Sequence, residues 1–382
     1  MRCVTIPSAT MIDAPAPPQR LDSLDVFRGL TIAAMILVST PGSWSAVYAP
    51  LDHAAWHGWT PTDLVFPFLL FAMGAAVPFA LARRRGAPRR VQRHVLRRAT
   101  ILFALGLVLN AIETPPPIDW ATFRIPGVLQ RIALVYVAVT WMTDRLSLRA
   151  QVAIVASALA GYWAAMTWIP VPGVGAGVLT PEGNLASFID RALLGRHLLT
   201  PLYDPEGLLS TVPATATAMG GVFAGDWLRA PPAHDRTARI FAAGGAAAIT
   251  GLAWGRVFPI NKNLWTSSFA MLAAGMAALT LATCHWILDV RGWRRWSRPF
   301  AAFGRNPLAA YSLSVGLDSI LTRWVVGDGA SLKSELYHRL FAEWLQPCCG
   351  AEAASLTYAV AYVVLWTVVM LQMHRRRIFI GI

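Results

Sequence analysis

Residues 53 to 67 read His53-Ala-Ala-Trp-His57-Gly-Trp-Thr-Pro-Thr-Asp63-Leu-Val-Phe-Pro67. An unperturbed imidazole titrates near pH ~6.5, so His53 supplies a neutral base or nucleophile at neutral pH. It could deprotonate an acceptor amine or accept an acyl group. The plainer alternative is an interfacial histidine bonded to a loop carbonyl. Asp63 suits a carboxylate that orients an imidazole through its ring N–H, and equally the first-turn acid of the helix that follows it. His57 lies four residues after His53, a spacing that would pair metal ligands on a helix. The Gly- and Pro-containing loop is not expected to be helical, so no metal site is expected.

These polar groups run directly into an apolar segment, Leu64 to Ala82, at the depth where water meets hydrocarbon and ionisable groups are costly. Hydrophobic residues make up 55% of the 382-residue chain and charged residues 14%. Mean hydropathy is +0.48. No soluble chain of this size needs so much apolar surface. The expected class is all-α, a polytopic membrane helix bundle of about ten transmembrane helices. The candidate spans are 26–46, 63–82, 97–112, 126–143, 150–169, 207–228, 238–255, 264–288, 300–324 and 355–373. The ninth is long and polar enough to be broken or tilted. Residues 1–22, rich in Pro and Ala, read as a disordered cytoplasmic arm, and 23–382 as one transmembrane domain. The outward loop 170–206 is rich in Gly and Pro, and 336–345 is amphipathic and reads as an interfacial helix.

The net charge of +13 is concentrated in Arg clusters at 83–98, 145–149, 229–239, 291–298 and 375–377. With ten spans all five fall on one side, the positive-inside pattern, which places both termini in the cytoplasm. A nucleic-acid partner is excluded by that distribution, since a basic face would gather the charge on one surface. Of four cysteines, Cys348 and Cys349 are adjacent and bridge each other only with strain, so no disulfide framework is expected.

Six ordered blocks resemble the family of the lysosomal heparan-α-glucosaminide N-acetyltransferase and its bacterial relatives. They are Ser23-Leu-Asp25-Val-Phe-Arg28-Gly29-Leu30, the His53–Pro67 stretch, and Arg124-Ile-Pro-Gly127-Val-Leu-Gln130-Arg131. Next come Asp204-Pro-Glu206-Gly207-Leu-Leu-Ser210-Thr211 with Gly225, then Pro259-Ile-Asn261-Lys262-Asn263-Leu-Trp265-Thr266, and finally Gly304-Arg305-Asn306-Pro307-Leu with Tyr311. Each block alone is weak; six in order across residues 20 to 315 are a strong signal. The resemblance implies a multi-pass inner-membrane transferase. Acetyl-CoA would supply the acetyl group from the cytoplasm, and an amino sugar or glycan would receive it on the periplasmic side. It also implies that His53 is the catalytic histidine. Where the family has Asn near the outward end of the first helix, this chain has Ser39, a shorter substitute for the same role.

Arg131 falls inside an apolar span, where leaving it unpaired would cost about 2.5 kcal/mol or more. It requires a buried acid (Glu113, Glu206 or Asp318) or a ligand phosphate. Arg131, Lys262 and Arg305 are candidates for the coenzyme's phosphates, with Asn263 and Asn306 adjoining the last two. Asp25 and Arg28, three apart, are expected to pair. A transporter or flippase for a small anionic or glycan substrate is the alternative reading. The oligomeric state, a homodimer included, stays open.

The loop 83–98 should be cytoplasmic and the His53 loop periplasmic. In a chain with its native cysteines replaced by serine, Ala54→Cys should react with a membrane-impermeant thiol label in intact cells and Ala87→Cys should not. Labelling at position 87 would reject the orientation.

Overall fold

The computed structural model describes residues 21–83, 88–114, 117–230, 236–326 and 329–380. The expected arm lies outside them except for its last two residues, and so do parts of the Arg-rich loops. The architecture is all-α apart from a two-stranded ribbon, Val325–Val326 with Ala330–Ser331. In chain order the helices are α1 (Asp22–Ser39), α2 (Val65–Ala82), α3 (Pro88–Glu113), α4 (Val128–Arg145), α5 (Leu148–Trp168), α6 (Leu185–Leu194) and α7 (Thr211–Arg229). They continue as α8 (Arg236–Trp254), α9 (Ser267–His285), α10 (Arg298–Arg305), α11 (Pro307–Arg323), α12 (Leu332–Tyr337), α13 (Glu343–Cys349) and α14 (Ala351–Arg375).

Among the described residues, five segments are long and apolar enough to cross a membrane: Pro61–Ala82, Arg90–Glu113, Leu148–Trp168, Ser267–Val290 and Ala351–Arg375. The other expected spans are helical too, but carry more charged or small polar residues, such as Arg28 in α1, Arg131 in α4 and the threonines of α7. The expected span 300–324 is two helices, parted at Asn306–Pro307, because proline lacks the N–H that a continuous helix would use. α3 begins well before the expected span at 97; its first turns carry Arg90, Arg93, Arg97 and Arg98. The amphipathic segment 336–345 is helical, divided between α12, a wide turn at His338–Ala342 and α13.

Local chemistry sets the boundaries that matter for the site. α1 stops at Ser39, just before Pro41. α2 is entered through a 3-10 turn, Pro61–Leu64, with proline at its start and a reciprocal cap between Thr60 and Asp63. Thr266 caps α9 by accepting from the Phe269 amide.

A single apolar cluster runs from Ile32 and Ile36 of α1 through α2, α4, α7 and α9 to Tyr362 and Met370 of α14. Close crossings bring the helices together where side chains are absent. A Cβ on Gly29 would strike the Phe300 carbonyl of α10, and one on Gly304 would strike the Asp25 carbonyl of α1. Small residues at such crossings let backbones approach, which is how helices gain packing in an apolar solvent. Asp25 and Arg28 pair as expected, 3.6 Å apart, and Arg28 also donates to the Gly304 carbonyl at 3.2 Å. Gly304→Val should therefore force α10 off α1 and cost about 1–3 kcal/mol, the usual range for overpacking. A thermal melt in detergent will show it; an unchanged midpoint would mean that the crossing is not tight.

Candidate functional site

The Asp63 carboxylate, with a side chain only 1% exposed, organises the His53 loop. Its Oδ1 lies 2.7 Å from His53 Nδ1. Its Oδ2 accepts from the backbone N–H groups of Thr60 at 2.9 Å and Ala54 at 3.2 Å. Thr60 Oγ1 donates to the Asp52 carbonyl at 2.6 Å, and the His53 amide is bonded to the Asp52 carboxylate at 2.7 Å. The two roles open to Asp63 are thus held together: it caps the turn into α2 and orients the imidazole. With Nδ1–H given to Asp63, Nε2 is the ring nitrogen left for chemistry. The His53 side chain is 46% exposed.

Lys262 completes this group from a second loop. Its ammonium lies 3.2 Å from both ring nitrogens of His53 and 3.8 Å from Asp63 Oδ1. Burial pushes Lys262 below its ordinary pKa, while the charges of Asp63 and Glu206 draw it back up. The Lys262 turn is held from within by Asn261, which is fully buried. Asn261 Oδ1 accepts from the Leu264 amide at 2.9 Å, and its N–H donates to Thr266 Oγ1 at 3.1 Å. Trp265 takes a left-handed backbone, φ +49°, a conformation that costs a non-glycine residue about 1–2 kcal/mol. Its indole offsets this by donating to Thr217 and packing edge-on against Phe66 and Phe269. The two loops are joined directly, since the Gly58 amide donates to the Ile260 carbonyl at 2.8 Å.

His53 and Lys262 line a cavity of about 520 Å³ together with Ser39, Thr40, Trp44, Glu113, Glu206 and Lys333. A second cavity, of about 400 Å³, opens at the other end of α1. It has largely apolar walls, with Asp25, Arg28, Arg83 and Arg98 among them. Val128 and Tyr311 line both cavities. On α1 the second cavity reaches Ile32 and the first begins at Met35, less than one helical turn apart.

The remaining sequence candidates are dispersed. Ser39 faces the His53 cavity from the end of α1. Arg131, 1% exposed, lines neither cavity. Its guanidinium donates to the Gly207 carbonyl at 2.9 Å and to the Ser210 hydroxyl, and lies 5.2 Å from the Trp265 ring centre. Glu206, Asp204 and Asp190 supply the surrounding negative charge. Arg305 lies 3.2 Å from His374 Nε2 and 3.9 Å from Asp25. Asn306 anchors the tail: its Nδ2 donates to the Ile378 carbonyl and its Oδ1 accepts from the Ile380 amide. Asn263 sits in the Lys262 turn and lines neither cavity. His57 is 3.4 Å from Asn261 Nδ2, and burial lowers its pKa. Among the described residues no three His, Cys, Asp or Glu side chains gather as metal ligands.

Sequence reasoning did not single out Arg124, Arg83 and Arg98, or Lys262 as a neighbour of the imidazole. Arg124 is bidentate to Asp204, at 2.8 and 2.7 Å, and reaches Glu206 at 2.6 Å. Burial pushes the Asp204 carboxyl up, but Arg124 and the amides of Glu206 and Leu199 hold it below the usual range. A signal for Lys262 existed, because the chain has only two lysines.

The first part of the chain, residues 20–138, matches a family model described as a domain of unknown function (DUF5009). The human heparan-alpha-glucosaminide N-acetyltransferase is 30% identical over 386 aligned positions, covering 86% of this chain and 58% of the human protein. The mouse protein of the same name is 30% identical, with 85% and 58% covered. The chain thus spans less than two thirds of the length of these curated relatives. Its class is that of helical membrane proteins with transferase relatives. Within it, the chain is similar over most of its own length to the heparan-alpha-glucosaminide N-acetyltransferases.

Because Asp204 is held below its ordinary pKa, its contribution to stability is full above about pH 4 and is lost as the pH falls through the lower folded value. At neutral pH, Arg124→Ala should leave Asp204 charged and unpaired, costing about 3–5 kcal/mol. Thermal melts and limited proteolysis between residues 195 and 207 check this, and a variant as stable as the parent rejects it.

Proposed function

We propose that this chain is a membrane acetyltransferase that moves an acetyl group from cytoplasmic acetyl-CoA to the amine of an amino sugar or related glycan on the opposite side. What carries the reading is the His53–Asp63 pair, which faces a cavity that adjoins a second one entered from the other end of α1. A charged thioester donor does not cross lipid, so a site reached from both faces answers the delivery problem. The names of the relatives supply the reaction class.

In this reading α1, α2, α3, α4, α5, α7, α8, α9, the α10–α11 pair and α14 make ten crossings of the inner membrane, with both termini cytoplasmic. The coenzyme's phosphates lie toward Arg28, Arg83 and Arg98 at the second cavity, and its acyl arm passes Val128 and Tyr311. Arg131, Arg305 and Asn306 hold the fold around that path. The acceptor enters the larger cavity past Trp44, whose exposed indole offers a face to a sugar ring.

His53 acts through Nε2, with Asp63 fixing the tautomer. In a ternary complex the amine nitrogen attacks the thioester carbonyl as Nε2 takes its proton. The N–C bond forms, the C–S bond breaks, and the thiolate leaves with the electron pair. In the two-step route Nε2 attacks the thioester carbonyl and the thiolate leaves with the C–S electron pair. The amine then attacks the acetyl-imidazole, the imidazole leaves with the N–C pair, and the amine proton passes to it. Ser39 lines the same cavity and can donate to the acyl oxygen, with a shorter reach than an asparagine.

His53→Ala should lower acetyl transfer to a glucosamine acceptor about 100- to 10,000-fold, the usual span of general acid–base catalysis. Binding of acetyl-CoA should be largely kept, and His57→Ala should change the rate only modestly. The check is transfer of labelled acetyl by purified protein without a membrane gradient. Near-normal turnover of the His53 variant would overturn the assignment.

A further inference from the structure

We propose that Lys262 is the positioning and electrostatic partner that keeps the His53 imidazole unprotonated beside the Asp63 carboxylate, so that Nε2 retains the lone pair its chemistry needs. The inference deepens the acetyltransferase reading and rests on it for the meaning of the lone pair.

A buried carboxylate 2.7 Å from an imidazole nitrogen favours the imidazolium form. An imidazolium has no lone pair on Nε2, so it can neither accept a proton nor attack a carbonyl. An Asp–His pair alone therefore orients the ring at the risk of disabling it. Lys262 opposes that tendency with a like charge at nearly the same range. Its ammonium is equidistant, 3.2 Å, from Nδ1 and Nε2. It thus lies against the ring between the two nitrogens rather than along the lone pair of either. The same ammonium is 3.8 Å from Asp63 Oδ1, so it also favours the ionised carboxylate. The charges of Asp63 and Lys262 offset one another at the ring, and orientation is separated from protonation.

The placement is built from both sides. Asn261 and Thr266 hold the Lys262 turn, and the Gly58–Ile260 bond fastens that turn to the His53 loop. The other charged groups around His53 are Asp52 on its own loop, and Glu113, Glu206, Asp318, Arg323 and Lys333 across the shared cavity. Of these, Asp52 is bonded to the His53 backbone amide, Glu206 to Arg124, and Asp318 to Lys333.

The test is the pH dependence of His53 carbethoxylation by diethyl pyrocarbonate in full-length protein, read on the His53 peptide by mass spectrometry. Lys262→Met and Lys262→Gln should each raise the midpoint by about 1 pH unit or more, the scale of a neighbouring charge. Lys262→Arg should keep it near that of the parent, and Asp63→Asn should lower it. In acetyl transfer, the acid limb of kcat/KM should move up with the midpoint in the Met and Gln variants. A Lys262 that is merely structural would change the thermal melt and leave both midpoints in place. Unchanged midpoints in folded Met or Gln variants would overturn the proposal. If the midpoint shifts while the parent transfers no acetyl group, the charge balance stands and the acetyltransferase reading fails.

Discussion

One buried carboxylate decides whether there is a site. Asp63 spends one oxygen on two backbone amides and the other on the His53 ring, so the turn into α2 and the direction of the imidazole are a single constraint. A carboxylate buried this deeply is tolerated only when its lone pairs are satisfied. The residues that satisfy it, Thr60, Ala54 and His53, are those that shape the loop. The loop cannot change course without stranding a charge. His53, half in solvent, is tethered through Nδ1 to a group wholly out of it.

A second polar framework stands behind the first and serves a different end. Arg124 binds Asp204 and Glu206, and Arg131 binds the next turn through the Gly207 carbonyl and the Ser210 hydroxyl. Together they fix the approach to α7, and they aim Glu206 at the cavity that His53 lines. Arg131 also supports Trp265, the residue whose left-handed backbone closes the Lys262 turn. The two frameworks therefore meet at Trp265 and Lys262. Through these contacts Arg131 ties α4 to the turn that leads into α7.

The two cavities give this arrangement a direction. They are separated along α1 by less than a helical turn and share Val128 and Tyr311, one a small aliphatic wall and the other an aromatic one. Apolar walls with arginines at one end and a mixed-charge chamber with an imidazole at the other suit different parts of a reaction. In the proposed reading the first would take a long acyl donor with an anionic head, and the second a polar acceptor. Helix crossings stripped to glycine, as at Gly29 and Gly304, bring the backbones of α1 and α10 into close contact.

The amino-acid sequence alone determined the class, because apolar runs bounded by Arg clusters are dictated by transfer of side chains and backbone out of water. It also made the His53–Asp63 stretch legible, since a threonine three residues before an aspartate at a proline-led helix start is a local cap that needs no distant partner. Order and spacing of the six blocks carried the family likeness for the same reason: each block is local. Tertiary structure decided the rest. Lys262 stands 209 residues from His53 in the chain, and no periodicity announces that its turn will dock on the His53 loop. The partners of Arg131 were equally out of reach: its depth demanded a buried acid or a ligand phosphate, and the groups it directly meets are a carbonyl and a hydroxyl brought by a distant turn. Arg83 and Arg98 belonged to a charge pattern in the sequence and became cavity walls only when α2 packed on α1 and α4 joined α2 to α3. Local hydrogen bonds and hydropathy act over a few residues, whereas the balance of charge around an imidazole depends on distances that only the packed helices set.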